Sequence, residues 1–321
     1  MKRKQNYTVG NRKVAIIGAG YVGSSIAYAL ALRDVAREIV LIDINMVKTD
    51  GEAKDIRHGL PGMGTADLYA GDYSDCEDCD LIIITAGRGR KPGESRLDLT
   101  NENVKIMHSV VDSIKEYYTR GVILVISNPV DILTYKVTEW MGLPDGMVFG
   151  SGCILDSSRF VRCVADYVGV STGVIHGYVV GEHGDSQVPV WSHVTVGGIP
   201  IAEYCENVGL EWNDDIKEDI AQRTKTMGGE IIAAKSRTHY GIATCVCQLA
   251  DAILNMRPTI ASVSSVLKGE HGCRDVALSV PSVVGPAGVQ QRIREKWAPD
   301  EYRGFFDAVE TTRSVINLLE K

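Results

Sequence analysis

The sequence has no long hydrophobic run. Its longest apolar stretches, 121–126 and 81–84, are strand length and fall far short of the roughly 20 residues that cross a bilayer. The opening segment, 1–13, is basic and polar, with no apolar core and no cleavage site, so no secretory signal is expected. Low-complexity tracts and internal repeats are also missing. So is any excess of positive charge: 34 basic residues stand against 41 acidic ones, a net charge of -7. That balance argues against nucleic acid or an anionic membrane as the main partner. The eight cysteines form neither a disulfide ladder nor a zinc pattern. Cys76 and Cys79 make a lone CxxC in an acidic stretch, and Cys245 and Cys247 a CxC in an expected helix. No second pair and no histidine sits at ligand spacing from either. Reduced thiols in a cytoplasmic protein, with no bound metal, are therefore expected.

What the chain does have is length, an ordinary core and glycine. With 321 residues, 45% of them hydrophobic and 23% charged, it has the balance of a globular protein. It can bury a sizeable core without staples. At ~150 residues per domain the length suits two domains. There are 33 glycines in the 321 residues, against a typical usage of ~7%, and their positions carry the main clue.

Buried-strand runs at 14–17, 38–42, 68–70, 81–84, 122–126 and 147–149 alternate with helical patterns at 21–32, 47–59, 99–118 and 131–141. This alternation predicts parallel βαβ units. The expected fold class is α/β: a Rossmann-type doubly wound parallel sheet over 1–150, followed by an α+β substrate domain over 151–321. In the second half the pattern predicts a helix at 153–168 and strands at 174–180 and near 194–201. One long helical region over 214–255 follows, kinked at Gly228–Gly229. A strand at 276–284 and an amphipathic helix over 299–319 complete it.

Gly18-Ala19-Gly20-Tyr21-Val22-Gly23 is a GxGxxG. Such spacing alone is weak in a glycine-rich chain. Here it follows a buried strand, opens an Ala-rich helix, and is followed 20 residues beyond Gly23 by Asp43 at the end of the next strand. That context is the dinucleotide fingerprint. Gly18 permits the tight turn, Gly20 lets backbone approach a pyrophosphate, and Gly23 lets the helix pack on the sheet. The helix N-terminus offers N–H groups and positive dipole to phosphate. Asp43 would accept from ribose hydroxyls and repel a 2′-phosphate, so the cofactor expected is NAD.

In the second half, Gly181-Glu182-His183-Gly184-Asp185 places a histidine between glycines just after a strand. On spacing alone His183 fits a structural loop histidine equally well. Asp156 and Arg159 sit three apart on one helix face, which is also the spacing of a plain surface ion pair. Ser127-Asn128-Pro129 closes a strand at the carboxyl edge of the parallel sheet, where α/β ligands sit. The loop Arg88-Gly89-Arg90-Lys91-Pro92-Gly93-Glu94-Ser95-Arg96 carries four cations, Arg88, Arg90, Lys91 and the closing Arg96; the same composition fits a solvated charged loop.

Together these segments, with GEHGDS followed by VPVWSH and with SNPVDILTY, resemble the L-lactate dehydrogenase family of NAD-dependent 2-hydroxy-acid dehydrogenases. That family includes the lactate-dehydrogenase-like malate dehydrogenases. The resemblance spans nearly the whole chain in the family's order. It implies that His183 is the proton donor and acceptor, Asp156 the carboxylate that orients it, and Arg96 the mobile-loop arginine that polarises the substrate carbonyl. It implies that Arg159 grips the substrate carboxylate, Asn128 bonds the reacting oxygen, and Thr238 lines the substrate pocket. Cofactor contacts are implied at Gly18, Gly20, Tyr21, Val22, Gly23, Asp43, Thr85, Ala86, Gly87, Ser127 and Asn128. The implied reaction is reversible hydride transfer between NADH and a small anionic 2-oxo acid, giving an L-2-hydroxy acid. A homodimer or homotetramer is implied as well.

Arg90 stands where lactate dehydrogenases carry glutamine and malate dehydrogenases carry arginine. In a closed, dry pocket an arginine facing a methyl group would be an unpaired charge, whereas oxaloacetate offers it a second carboxylate. Arg90 thus tips the expectation towards L-malate, with L-lactate the alternative. A non-catalytic NAD-binding protein is the second alternative. Val161 stands where allosteric members carry an arginine, so activation by a sugar bisphosphate is not expected.

Overall fold

A computed structural model describes residues 10–89 and 96–319, without the Arg96 side chain. Short runs of β-branched and leucine residues make six strands in the first half: β1 (Lys13–Ile17), β2 (Glu38–Ile42), β3 (Asp67–Ala70), β4 (Leu81–Ile84), β5 (Val122–Val125) and β6 (Val148–Gly150). They pair in parallel in the order β6-β5-β4-β1-β2-β3. Helices α1 (Tyr21–Leu32), α2 (Met46–Gly59), α3 (Arg96–Tyr117) and α4 (Val130–Met141) connect them. Both faces of β1 are buried, as a doubly wound sheet requires. Val14 and Ile16 point into a core shared with Ile26 and Leu30 of α1. Ala15 and Ile17 point into the opposite core, shared with Val110 and Ile114 of α3. The period of two along the strand therefore sorts one segment into two cores.

The second half begins with α5 (Ile154–Val168). The short strands β7 (Ile175–His176), β8 (Val179–Val180), β9 (Val188–Pro189), β10 (Thr195–Val196) and β11 (Ile199–Pro200) follow. Next come α6 (Ile201–Val208), α7 (Asp214–Lys235), α8 (Tyr240–Leu254), the strands β12 (Thr259–Lys268), β13 (Arg274–Gly285) and β14 (Gly288–Arg292), and α9 (Pro299–Leu319). Strand β12 pairs antiparallel with β6 through Ser264 and Gly150. Among the described residues the parallel sheet thereby grows into one nine-stranded sheet, β14-β13-β12-β6-β5-β4-β1-β2-β3. The change of pattern near residue 150 is a change of strand direction within this sheet.

Several expectations are corrected here. The region 214–255 is two helices, and α7 runs through Gly228–Gly229 without a break. The break lies at Ser236, whose φ of +69° ends α7 in the left-handed region. Gly228 has a packing reason instead: a Cβ there would stand 3.3 Å from the Arg159 guanidinium. The strand expected at 174–180 is split into β7 and β8, and the segment near 194–201 is a small hairpin turning at Gly197 and Gly198, both at positive φ. Strands β12 and β14 were not expected at all. Serines 262, 264 and 265 of β12 are buried, so the strand carries no apolar alternation. The basic loop after Gly89, with Arg90, lies outside the described residues.

The CxxC cysteines are both buried. The Cys79 thiol donates to the Asp75 carbonyl in the same turn. Burial pushes both thiols up to about 12, so neither is a thiolate near neutrality.

Candidate active site

The glycine turn is shaped by what surrounds it. Gly18 has φ +105°, and a Cβ there would meet Thr85 Oγ1 at 2.6 Å. Thr85 uses that hydroxyl to donate to the Gly18 carbonyl at 2.8 Å, tying the end of β4 to the turn. A Cβ on Gly23 would fall 1.8 Å from the Gly18 carbonyl oxygen, so only glycine lets α1 sit this close to β1. At Gly20 a Cβ would meet nothing within 4 Å. Bare backbone therefore faces open space at the start of α1, where no side chain caps the helix and no acidic residue sits in the first turn. This is the cradle a pyrophosphate requires.

Asp43 closes the cradle from the end of β2. Its Oδ2 accepts from the Ala19 N–H at 2.8 Å and its Oδ1 from the Asn45 N–H at 3.0 Å. A carboxylate has about four lone-pair sites, so both oxygens retain capacity for ribose hydroxyls. The surrounding side chains Tyr21 and Val22 lie in the first turn of α1, with Tyr21 exposed. The residues present fit a dinucleotide. Gly23→Ala is expected to lower stability by about 1–3 kcal/mol through overpacking. Thermal denaturation with and without NADH checks it, and the stabilisation conferred by NADH is expected to shrink as well.

The carboxyl ends of β4 and β5 bring the next group together. Ser127 donates to the Ala86 carbonyl at 2.6 Å. Gly87 follows at φ +156°. The Asn128–Pro129 peptide is cis, and Asn128 Oδ1 accepts the Val130 N–H at 3.3 Å at the start of α4. One residue missed from the sequence braces this corner. Asn103 of α3 is buried; its NH2 donates to the Asn128 carbonyl at 2.7 Å and to the Arg88 carbonyl at 3.1 Å, while its Oδ1 accepts the Arg88 N–H at 3.0 Å. It thus holds the root of the basic loop against Asn128.

His183 lies in the loop between β8 and β9. The loop is pinned to the large sheet: Gly181 and Ser279 of β13 exchange both backbone hydrogen bonds at 2.9 Å, with Gly181 at φ +90°. The Ser279 hydroxyl accepts the Cys153 N–H at 2.9 Å, just before α5. Strand β13 therefore sets the loop and the helix against each other. Across that junction His183 Nδ1 meets Asp156 Oδ2 at 2.5 Å. Arg159 Nη1 donates to the other oxygen of Asp156 at 3.1 Å. The pair is no surface ion pair, since side-chain exposure is 4% for Asp156 and 12% for Arg159.

The electrostatics follow from these contacts. Burial works against a charge on His183, but the Asp156 carboxylate outweighs it, and the histidine pKa lies above its ordinary value of 6.5. Burial likewise works against ionised Asp156. The imidazole and then the Arg159 guanidinium outweigh it, and the carboxyl is held below the usual range. An ionised carboxylate only accepts hydrogen bonds, so Nδ1 must carry the proton shared with Asp156. Nε2 is then the nitrogen free to exchange a proton with a ligand.

A second residue missed from the sequence is Asp131, in the first turn of α4. It is buried, and its Oδ2 accepts the His183 backbone N–H at 2.7 Å. An acid at that position reads as ordinary helix N-terminal chemistry, so the sequence carried no signal for the contact. Thr238 sits half-buried in the break between α7 and α8. Of the two loop arginines, Arg90 is outside the described residues, and Arg96 contributes only its backbone, at the start of α3.

Two family models match the chain: the lactate/malate dehydrogenase NAD binding domain over residues 12–150, and the lactate/malate dehydrogenase alpha/beta C-terminal domain over residues 153–320. An L-lactate dehydrogenase of Priestia megaterium is 42% identical over 298 residues, covering 93% of each chain. Another, from Thermoanaerobacter sp. (strain X514), is 42% identical over 308 residues, covering 96% of this chain and 99% of the relative. Among solved structures, the minor L-lactate dehydrogenase of Enterococcus mundtii in its ligand-bound form superposes with a TM-score of 0.93 at 40% identity, over 96% of this chain and 98% of that one. With a glycine cradle fitted to a dinucleotide and an Asp–His–Arg cluster built on the buried Asp156, the chain belongs to the lactate/malate dehydrogenase family of NAD-dependent oxidoreductases.

Proposed function

We propose that the protein is an L-lactate dehydrogenase, interconverting pyruvate and L-lactate with NAD. The observation that carries the chemistry is the 2.5 Å contact of His183 with Asp156, on a carboxylate that Arg159 also holds. Bound NADH supplies the hydride that reduces the keto carbon. His183 delivers its Nε2 proton to the carbonyl oxygen in the reducing direction and takes it back in the oxidising one. Asp156 keeps Nδ1 protonated and favours the charged ring. Arg159 has five N–H donors, of which Asp156 takes one; a planar fork remains for the substrate carboxylate. The Asn128 amide oxygen is engaged by the Val130 N–H, and its NH2 is the donor for the reacting oxygen. Arg96 polarises the carbonyl, and Thr238 lines the pocket near the substrate.

The choice of acid rests on the relatives. Those that cover 93–96% of this chain carry the name L-lactate dehydrogenase. They favour lactate over the malate preference that Arg90 suggests, and an arginine there that turns to solvent imposes no selection. The test compares kcat/KM for pyruvate and oxaloacetate in the wild type and in Arg90→Gln. Pyruvate is expected to be preferred in both. A wild type that prefers oxaloacetate, with the preference inverted in Arg90→Gln, would establish malate instead. No NADH oxidation with either acid would leave a non-catalytic NAD-binding protein.

Two further readings belong here. Among the described residues no helix is long and apolar enough to cross a membrane, and all eight cysteines are free and buried, which supports a cytoplasmic location. Exposed apolar side chains on helices, including Met46, Val47, Ile231, Ile232 and Tyr240, support a homodimer or homotetramer.

A further inference from the structure

We infer that Asp131 is a second carboxylate of the acid–base site: it holds the His183 backbone through its N–H and favours the charged form of the ring. This rests on the reading of His183 as the proton carrier.

The geometry is specific. Asp131 is 2% exposed, and its Oδ2 accepts the His183 N–H at 2.7 Å. His183 is thus held at two points by two carboxylates from two helices, Asp156 of α5 at the ring and Asp131 of α4 at the backbone. Ser264 of β12 lies against Asp131 from the sheet, and Glu182 adds a further negative charge from the histidine's own loop. Among the described residues Arg159, from α5, is a further charged neighbour of His183 and opposes charge on the ring. The buried thiol of Cys153 completes the surround.

A hydrogen bond to a backbone N–H does not require a charge, and an asparagine would also accept it, though more weakly. Burying a carboxylate instead, near the acidic Glu182, is costly without a cation in return. Here that cation is protonated His183, which stabilises ionised Asp131 as Asp131 stabilises it. Burial pushes the Asp131 carboxyl up to about 6, close to the range in which a histidine titrates. Two groups coupled in this way share their protonation steps. The alternative is a purely structural acid in the first turn of α4, serving the helix dipole. It predicts a change in stability and none in the pH profile.

The test uses Asp131→Asn and Asp131→Leu, with pyruvate or oxaloacetate, whichever the wild type reduces faster. Asparagine keeps an acceptor and removes the charge. Its reduction rate is expected to fall away at lower pH than in the wild type. Above the wild-type midpoint, kcat/KM for reduction should be about 3- to 10-fold lower than wild type, and oxidation should extend to lower pH. Leucine removes acceptor and charge, and should lower kcat at every pH besides shifting the midpoint; asparagine should restore part of that kcat and none of the midpoint. A folded Asp131→Asn enzyme with the wild-type midpoint in both directions would overturn the proposal. If the wild type itself shows no opposite pH trends, the His183 reading falls, and this inference with it. Should the asparagine variant fail to fold, wild-type enzyme labelled with 15N-histidine decides. The His183 backbone amide should show two inflections, the two steps of the coupled pair, and a single inflection would overturn the proposal.

Discussion

A His183→Ala enzyme is expected to lose about 100- to 10,000-fold in kcat in both directions, the usual contribution of a positioned general acid–base group. The argument is geometric. Loop 181–185 is anchored by paired hydrogen bonds between Gly181 and Ser279 and by the His183 N–H on Asp131, none of which involves the imidazole. The backbone should therefore stay in place when the ring is removed. Gly18, Gly20 and Asp43, which form the dinucleotide cradle, share no hydrogen bond with His183, so NADH affinity is expected to change far less than kcat. The expected pattern is a low turnover number with near-normal NADH binding by fluorescence titration. Full turnover in this variant would remove His183 from the mechanism.

The second large effect is expected at Arg159. Replacing it with glutamine leaves Asp156 without its guanidinium partner and, in the proposed mechanism, the substrate carboxylate without its fork. Truncating one partner of a desolvated, hydrogen-bonded charge pair between binding partners costs about 2–5 kcal/mol. At about 1.4 kcal/mol per tenfold, kcat/KM should fall by about 30- to 3,000-fold, mostly through KM. Arg159→Lys restores the charge without the planar fork, and should fall between wild type and glutamine. Steady-state kinetics with saturating NADH separates the cases. A KM unchanged in Arg159→Gln would place the substrate carboxylate elsewhere.

The features legible in the sequence were those in which chemistry is local. The glycine turn, the strand before it and Asp43 after it all lie between residues 13 and 43, and each imposes a backbone or charge requirement that few other residues meet. Buried parallel strands announce themselves as unbroken β-branched runs, as Leu81–Ile84 does. Strand β12 did not, because buried serines 262, 264 and 265 interrupt its buried Val263, Val266 and Leu267. The misplaced kink has a related cause. Gly228 looks like a helix defect, yet it is the space into which Arg159 fits. The real break depends on the conformation of Ser236, which has no strong sequence mark. Asn103 and Asp131 were invisible for another reason: each acts on backbone groups of residues far along the chain, Asn128 and His183. Residue identity alone gives no hint of such partners.

The central claim is that His183 carries the proton, with Asp156 favouring its charged form. Reduction requires the charged ring and oxidation the neutral one. Because the His183 pKa lies above 6.5, kcat/KM for pyruvate reduction should be high at acid pH and fall as pH rises through a midpoint above that value. L-lactate oxidation should rise through the same midpoint. Measured across pH in both directions, two mirrored curves with one shared midpoint are predicted. Parallel curves, or a reduction rate that climbs with pH, would contradict the account.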